Sequence, residues 1–296
     1  MKIARVRVDG TSTYALVSQD TVFTKPALER ALQLSLPETV DAFGHLLLTR
    51  ADLTLRIMKA AKGTSSRAPP RRLEQVALLA PLGARPKVIG VGLNYRDHAE
   101  EQGVRPPKEP VIFLKPYTAI IGPCDAVQYP PGVTQLDYEG ELGVVIGRQC
   151  RRANSMEAFD YVLGYTVFND ITARDLQSGD GQWTRGKSFD TFAPTGPWIV
   201  TKEEIPDPHA LTLMTRVNGE MRQRSNTRNM IFKIPDLVSF VSKVMTLDPG
   251  DIIATGTPAG VGIFAKPRPR LLKVGEVVEV EVEKIGRLRN PISVGL

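Results

Sequence analysis

The chain has 296 residues, 42% of them hydrophobic and 24% charged, with a formal net charge of +6. That balance excludes a disordered or collagen-like polymer and leaves room for one large catalytic unit with a small appendage. No apolar run approaches the roughly 18 to 20 residues needed to span a bilayer, and the opening MKIARVRVDG has no apolar core followed by a cleavage site, so a cytoplasmic protein with no membrane partner is expected.

The first 75 or so residues open with strand-like alternation (KIARVRV, TYALVSQ) and continue with helical spacing in PALERALQLSL and from Thr39 to Ala61. They hold no convergent polar set. The segment KGTSSRAPPRR at 62–72 reads as a linker, which predicts a small N-terminal α/β domain over 1–75 and a catalytic domain over 76–296. Beyond it the chain is dominated by short runs rich in Val, Ile and Tyr between Gly and Pro: KVIGVGL, PVIFLK, ELGVVIG, YVLGYTVFN, GPWIV, LTLMTRVNG, DIIATG and EVVEVEVEKIG. One helix interrupts them, IPDLVSFVSKVMTL, with Ile234, Leu237, Val238, Val241, Val244 and Met245 on one face and Asp236 in its first turn. Asn218-Gly219 reads as a hairpin tip. The fold class expected is α+β, strand-dominated.

Cys124 and Cys150 have no C-x-x-C spacing and no nearby histidine, which predicts two idle thiols rather than zinc ligands or a disulfide. Lys and Arg are spread along the chain apart from AKPRPRLLK at 265–273, without interleaved aromatics. A nucleic-acid partner is therefore not expected, while a basic surface favours capture of small anions.

LDYEGELGVVIG is the most informative segment. Alternation along a strand places Glu139 and Glu141 on one face, with Gly143 and Gly147 continuing that face and leaving space beside the carboxylates, while Leu142, Val144 and Ile146 point to a buried side. Two like charges side by side push one pKa up unless a cation lies between them. Two glutamates on a solvated strand face are the plain alternative. Asp170 closes the next strand-like run, and no histidine or cysteine lies near these acids, so the set is all-oxygen and suits Mg²⁺ or Mn²⁺, with Ca²⁺ as a substitute. Three protein ligands would leave three octahedral positions open.

In GLNYRDHAEEQG, His98 and Glu101 are spaced i, i+3 and can form a dyad in which the carboxylate orients the imidazole as a base; a surface His–Glu pair is the alternative, and Asp97 and Glu100 are expected to be solvated. Lys187, in RGKSFD, can neutralise a carboxylate or oxyanion near a metal, or be solvated. ATGTPAGVG at 254–262 lacks the features of a phosphate loop and reads as a turn exposing amides and the hydroxyls of Thr255 and Thr257 to a carboxylate.

LDYEGELGVVIG, GYTVFNDITARDLQ, QWTRGKSFDTFAPTGPW and LDPGDIIATGTPAGVG, in this order, resemble the fumarylacetoacetate hydrolase superfamily over residues 85–296, on the side of its acylpyruvases and diene-dioate isomerases. The resemblance implies a mixed β-roll fold, a homodimer, metal binding by Glu139, Glu141 and Asp170, and a lid carrying His98 and Glu101. It also implies an active-site role for Lys187 and substrate contacts for Gln182 and Thr257. EKIGRLRNP departs slightly from the family's usual glycine-rich version, and only a local turn change is expected there.

A 2-oxo acid can chelate such a metal through a carboxylate oxygen and the adjacent carbonyl, and electron density released at C3 is then stored as an enolate. With His98–Glu101 activating water, the function expected is C–C hydrolysis of a small 2,4-dioxo acid of the acylpyruvate or fumarylpyruvate type. The alternatives are isomerisation or tautomerisation of an unsaturated 2-oxo diacid, oxaloacetate decarboxylation and, more remotely, a non-catalytic metal-dependent binding protein.

Overall fold

In the computed structural model, which describes residues 1–61 and 70–295, the alternation in the first two runs becomes an antiparallel hairpin. It comprises β1 (Lys2–Val8) and β2 (Thr11–Ser18), turning through Asp9 and Gly10 at positive φ. Then follow β3 (Thr21–Thr24), α1 (Lys25–Leu32), α2 (Val40–Thr49) and α3 (Ala51–Ala60). The stretch expected as one helix from Thr39 to Ala61 breaks at Arg50, which leaves the helical region (φ −128°, ψ 74°). The break lets Phe43 and Leu47 of α2 and Leu53 and Ile57 of α3 all reach the same buried core. Thr39 starts α2 by accepting a hydrogen bond from the Ala42 amide at 3.2 Å.

After the segment 62–69 come β4 (Arg71–Arg72), β5 (Ala77–Leu79), β6 (Val88–Gly92), α4 (Arg96–Gln102), β7 (Val111–Lys115), β8 (Ile120–Ile121), β9 (Val127–Tyr129) and β10 (Leu136–Asp137). Next come β11 (Gly140–Ile146), β12 (Val162–Asn169), β13 (Thr172–Ala173), α5 (Arg174–Gly179), α6 (Thr184–Lys187) and β14 (Ala193–Thr201). The chain closes with β15 (Thr212–Val217), β16 (Glu220–Asn226), α7 (Ile234–Val244), β17 (Ile252–Ala254), β18 (Val277–Val282) and β19 (Gly286–Val294).

The larger sheet has twelve strands, running β4-β3-β2-β1-β14-β12-β11-β17-β6-β7, with β5 on β1 and β8 on β14. The second runs β16-β15-β18-β19-β9. Pairing is mixed: β17–β6, β14–β8 and β19–β9 are parallel, the rest antiparallel. The strand-dominated α+β expectation holds. The N-terminal strands extend the main sheet, because β1 meets β14 with Lys2 opposite Val200 and Ile3 opposite Ile199, and one core joins Ile3, Phe43 and Ile57 to Leu163, Phe168 and Phe192. Residues 62–69 of the expected linker lie outside the described residues.

α7 buries Ile234, Leu237, Val238 and Val241, and Asp236 accepts from the Lys233 amide at its start. The stripe stops one turn earlier than its spacing suggested, since Val244 is 62% exposed and Met245 has already left the helix. Asn218 and Gly219, both at positive φ, turn β15 into β16 as expected. Cys124 and Cys150 are free thiols, one exposed and one buried. Among the described residues no helix is long and apolar enough to cross a membrane.

Register decides where the polar residues gather. Gly140 opposes Asn169 across β11 and β12, and the Asp170 amide donates to Glu139 O at 2.8 Å, so the acids flanking the two strands meet at one end of the sheet. β17 pairs with β11, with Ala254 opposite Gly143, and delivers the 255–262 loop to that end. β6 runs parallel to β17 and leads to α4 at the same place.

Candidate active site

Glu139, Glu141 and Asp170 are all buried, and one carboxylate oxygen from each lies within 4.8 Å of the others. Lys187 Nζ donates to Glu139 Oε2 at 2.8 Å and Asp170 Oδ2 at 2.6 Å. Lys115 Nζ, wholly buried, donates to Asp170 Oδ1 at 2.5 Å and Ile171 O at 3.1 Å. Arg174 Nη1 lies 2.6 Å from Glu139 Oε1, and its Nε donates to Asp137 Oδ2 at 2.9 Å.

Glu141 differs from its two neighbours: it accepts from the Gly256 amide at 2.8 Å and has no cationic partner among the described residues. Burial, then the charges of Asp170 and Glu139, push its carboxyl well above the usual range. Burial alone would push Glu139 up as well, but Lys187 and Arg174 hold it down at about 2. Burial would likewise lower the Lys187 ammonium, yet Asp170 and Glu139 keep it above its usual value. Three buried carboxylates in contact, one with no compensating cation, form an all-oxygen donor set that a hard divalent ion satisfies. The residues fit Mg²⁺ or Mn²⁺.

The dyad forms as expected. His98 Nδ1 lies 2.9 Å from Glu101 Oε2, and because a carboxylate only accepts, Nδ1 carries the hydrogen. Glu101 Oε1 accepts from the Gly260 amide at 2.9 Å, which ties α4 to the 255–262 loop. Asp97 is a correction to the expected solvated residue: it accepts from Ser225 Oγ at 2.5 Å and the His98 amide at 2.9 Å, because the turn of α4 aims it at β16. Glu100 is exposed as expected.

A cavity of about 280 Å³ opens over this cluster. Its polar wall includes His98, Gln102, Glu139, Arg174, Gln177 and Lys187, and its apolar wall Phe113, Trp183, Ile263 and Phe264. Phe113 and Trp183 meet edge to face at 5.7 Å, and Lys187 Nζ lies 5.1 Å from the Phe113 ring. Gly90 and Gly92, on one face of β6, leave room for these rings: a Cβ at either would overlap Phe113 or Trp183.

The glycines of β11 do something other than expected. A Cβ at Gly143 would come within 2.8 Å of Ile252 Cδ1, and one at Gly147 within 2.6 Å of Leu48 Cδ1, so the space beside the carboxylates is filled by core packing. Thr255 is also corrected: its hydroxyl donates to Leu142 O at 2.8 Å and serves the backbone. Thr257 lines the cavity, but its hydroxyl hydrogen goes to Gly140 O at 3.0 Å while its oxygen accepts from Gln223. Gln182 is exposed, accepts from the Thr184 amide at 2.7 Å and is not among the residues lining this cavity, where the glutamines are Gln102 and Gln177. Arg185 pairs with Asp180 at the surface.

Sequence reasoning passed over Lys115, Arg174, Gln102 and Gln177. Two signals were available: Lys115 ends an otherwise apolar run, VIFLK, and Arg174 follows Asp170 by four residues at the start of a short helix.

The profile of the family described as fumarylacetoacetate (FAA) hydrolase C-terminal matches residues 87–293. A mitochondrial oxaloacetate tautomerase of Bos taurus is 45% identical over 264 residues, covering 88% of this chain and 82% of its own length. A 5-carboxymethyl-2-hydroxymuconate delta-isomerase from Mycobacterium smegmatis superposes with a TM-score of 0.78 at 38% identity, and each chain is covered in full. Maleylpyruvate hydrolase from Sphingobium sp. SYK-6, solved with manganese(II) and pyruvate, superposes with a TM-score of 0.79 at 30% identity, again over the whole of both chains.

Proposed function

This chain belongs to the fumarylacetoacetate hydrolase family, and on that premise we propose that it is a divalent-metal enzyme that moves a proton at C3 of a small 2-oxo acid, acting as a keto–enol tautomerase. The observation that carries the reading is one small cavity lined by His98, Lys187, Arg174 and Glu139, with Glu101 bonded to His98 and with carboxylate oxygens of Glu141 and Asp170 within 4.8 Å of that of Glu139. Mg²⁺ or Mn²⁺ on Glu139, Glu141 and Asp170 would polarise the 2-oxo carbonyl as a Lewis acid.

The protein's own groups supply the rest. Arg174, whose Nη2 has no partner among the described residues, binds the substrate carboxylate. Lys187 places a fixed positive charge where negative charge develops on the substrate oxygen. His98 Nε2 takes the C3 proton, with Glu101 holding the imidazole in the tautomer whose Nε2 lone pair is free of hydrogen. Phe113, Trp183, Ile263 and Phe264 exclude water from the rest of the cavity. The 45% identity to an oxaloacetate tautomerase over 88% of the chain supports this choice of reaction.

A second reading, hydrolysis of a 2,4-dioxo acid, is favoured by the same dyad, since an imidazole oriented by a carboxylate is suited to deprotonating water. One experiment separates the two. The purified chain with Mn²⁺ is offered oxaloacetate in its enol form and a panel of acylpyruvates, with enol decay, CO₂ and pyruvate measured together. Enol decay without pyruvate release supports the tautomerase, and pyruvate from acylpyruvates supports the hydrolase. Turnover unaffected by EDTA would remove the metal from either reading, and inactivity on the whole panel would favour a binding protein.

A further inference from the structure

His98 lines the cavity, but its Nε2, the nitrogen that must act as base, already has a hydrogen-bond partner. The side-chain nitrogen of Gln102 lies 2.7 Å from it. Glu101 fixes the hydrogen on Nδ1, so a neutral imidazole presents a single lone pair at Nε2, and the amide NH₂ of Gln102 donates to it. Both residues line the catalytic cavity, and both sit on α4, with Gln102 following His98 by four residues on the same helical face. Phe264, whose ring centre is 6.1 Å from the imidazole, covers a further side of the ring.

From this we infer that Gln102 is a specificity-determining residue that disfavours water-dependent C–C cleavage relative to proton transfer at C3. The inference rests on the proposed chemistry of this cavity. In tautomerisation, a C3 proton passes to His98 Nε2, the C3–H electron pair forms the C2=C3 bond as the C2=O π pair moves onto oxygen, and the imidazolium returns the proton to that oxygen. In hydrolysis, one water proton passes to the same nitrogen as the water oxygen bonds to C4 and the C4=O π pair moves onto its oxygen; that pair re-forms the carbonyl as the C3–C4 bond breaks, and the pair left on C3 takes the proton from the imidazolium while the second water proton leaves with the acid product.

Both routes displace the amide, but by different competitors. A substrate anchored by Arg174 and Lys187 brings its C3 hydrogen to Nε2 with the binding interactions of the whole molecule behind it. The hydrolytic water has none of these and competes with a tethered amide for one lone pair. The net advantage of one intramolecular hydrogen bond amounts to about two- to tenfold. At saturating substrate the C3 hydrogen has displaced the amide on binding, whereas the hydrolytic water must still displace it during turnover, so Gln102 shifts the ratio of the two saturated rates by that factor without touching the metal ligands.

The test is Gln102→Ala, assayed on the full chain with Mn²⁺ at saturating enol oxaloacetate and a saturating acylpyruvate. The ratio of pyruvate release to enol decay should rise about two- to tenfold over wild type. Because it is taken within one preparation, loss of folded enzyme cancels. An unchanged or lower ratio overturns the inference. Ring ¹⁵N NMR forms a second arm that needs no turnover, and with only three histidines in the chain the His98 signals can be assigned by substitution. The wild type should show a protonated Nδ1, and the Nε2 resonance should move in Gln102→Ala; an unmoved resonance overturns the inference as well. If wild type turns over neither substrate, the proposed chemistry fails and the Gln102 gate with it, whereas a moved resonance would still establish the contact itself.

Discussion

Removing the buried ammonium that holds Asp170 should cost the fold heavily. Lys115 ends β7 with its side chain wholly inside, and its Nζ contacts Asp170 Oδ1 at 2.5 Å and Ile171 O at 3.1 Å. Burial lowers the Lys115 pKa more than Asp170 can raise it, so the pair is already under desolvation strain. In Lys115→Met the carboxylate keeps only Lys187 on its other oxygen, and the Ile171 carbonyl loses its side-chain donor. Breaking a buried pair from one side costs about 3–5 kcal/mol. The surviving Lys187 contact places the loss near the lower end, at about 3 kcal/mol. At the roughly 2–4 °C per kcal/mol seen for larger domains, the melting temperature should fall by ~6 °C or more. Thermal unfolding in EDTA, followed by circular dichroism, measures it. The double variant Lys115→Met/Asp170→Asn should recover part of the loss, because it leaves no lone charge inside. A drop under about 1 kcal/mol, or a double variant no better than the single, would refute an energetically coupled buried pair.

Divalent metal should stabilise the protein more as pH rises. The Glu141 carboxyl, raised above its usual 4.5 by burial, Asp170 and Glu139, takes up a proton on folding, so without metal its contribution to stability declines as pH climbs from 4.5 through the raised value. Glu139 works the other way: held at about 2, it contributes fully above 4.5 and is lost as pH falls toward 2. The Mn²⁺-induced rise in melting temperature should therefore be larger at pH 8 than at pH 5, with proton release on binding detectable by calorimetry; an increment independent of pH contradicts this. His98→Ala should cut turnover by about 10²–10⁴ while leaving Mn²⁺ affinity nearly unchanged, and equal turnover in the variant removes His98 as the base. Arg174→Lys keeps the charge but loses the planar fork, so KM should rise, by about tenfold, more than kcat falls; a kcat effect alone would place Arg174 outside substrate binding.

Alternation alone sufficed for the strands, because a strand's two-residue period is a local property of the backbone, whereas Glu139 lies just before β11 (Gly140–Ile146) and meets Glu141 without sharing its strand. Turn chemistry at Asn218-Gly219 was equally legible, since positive φ is decided within two residues. The His98–Glu101 contact followed from helical spacing over a single turn. What lay beyond such reach was decided by the tertiary structure. Lys115 looked like any lysine ending a strand until the pairing of β6 with β17, and of β17 with β11, placed it on Asp170 across 55 positions of sequence. Gly143 and Gly147 suggested open space because the chain does not state which neighbours fill it; Ile252 and Leu48 do. Gln177 rather than Gln182 faces the cavity because the short α5–α6 turn, not spacing, sets which side chains point inward. Spacing could bring His98 to Glu101. The same helical spacing brings Gln102 to the imidazole, and only the packed cavity, with Phe264 beside the ring, determines what else can reach that nitrogen.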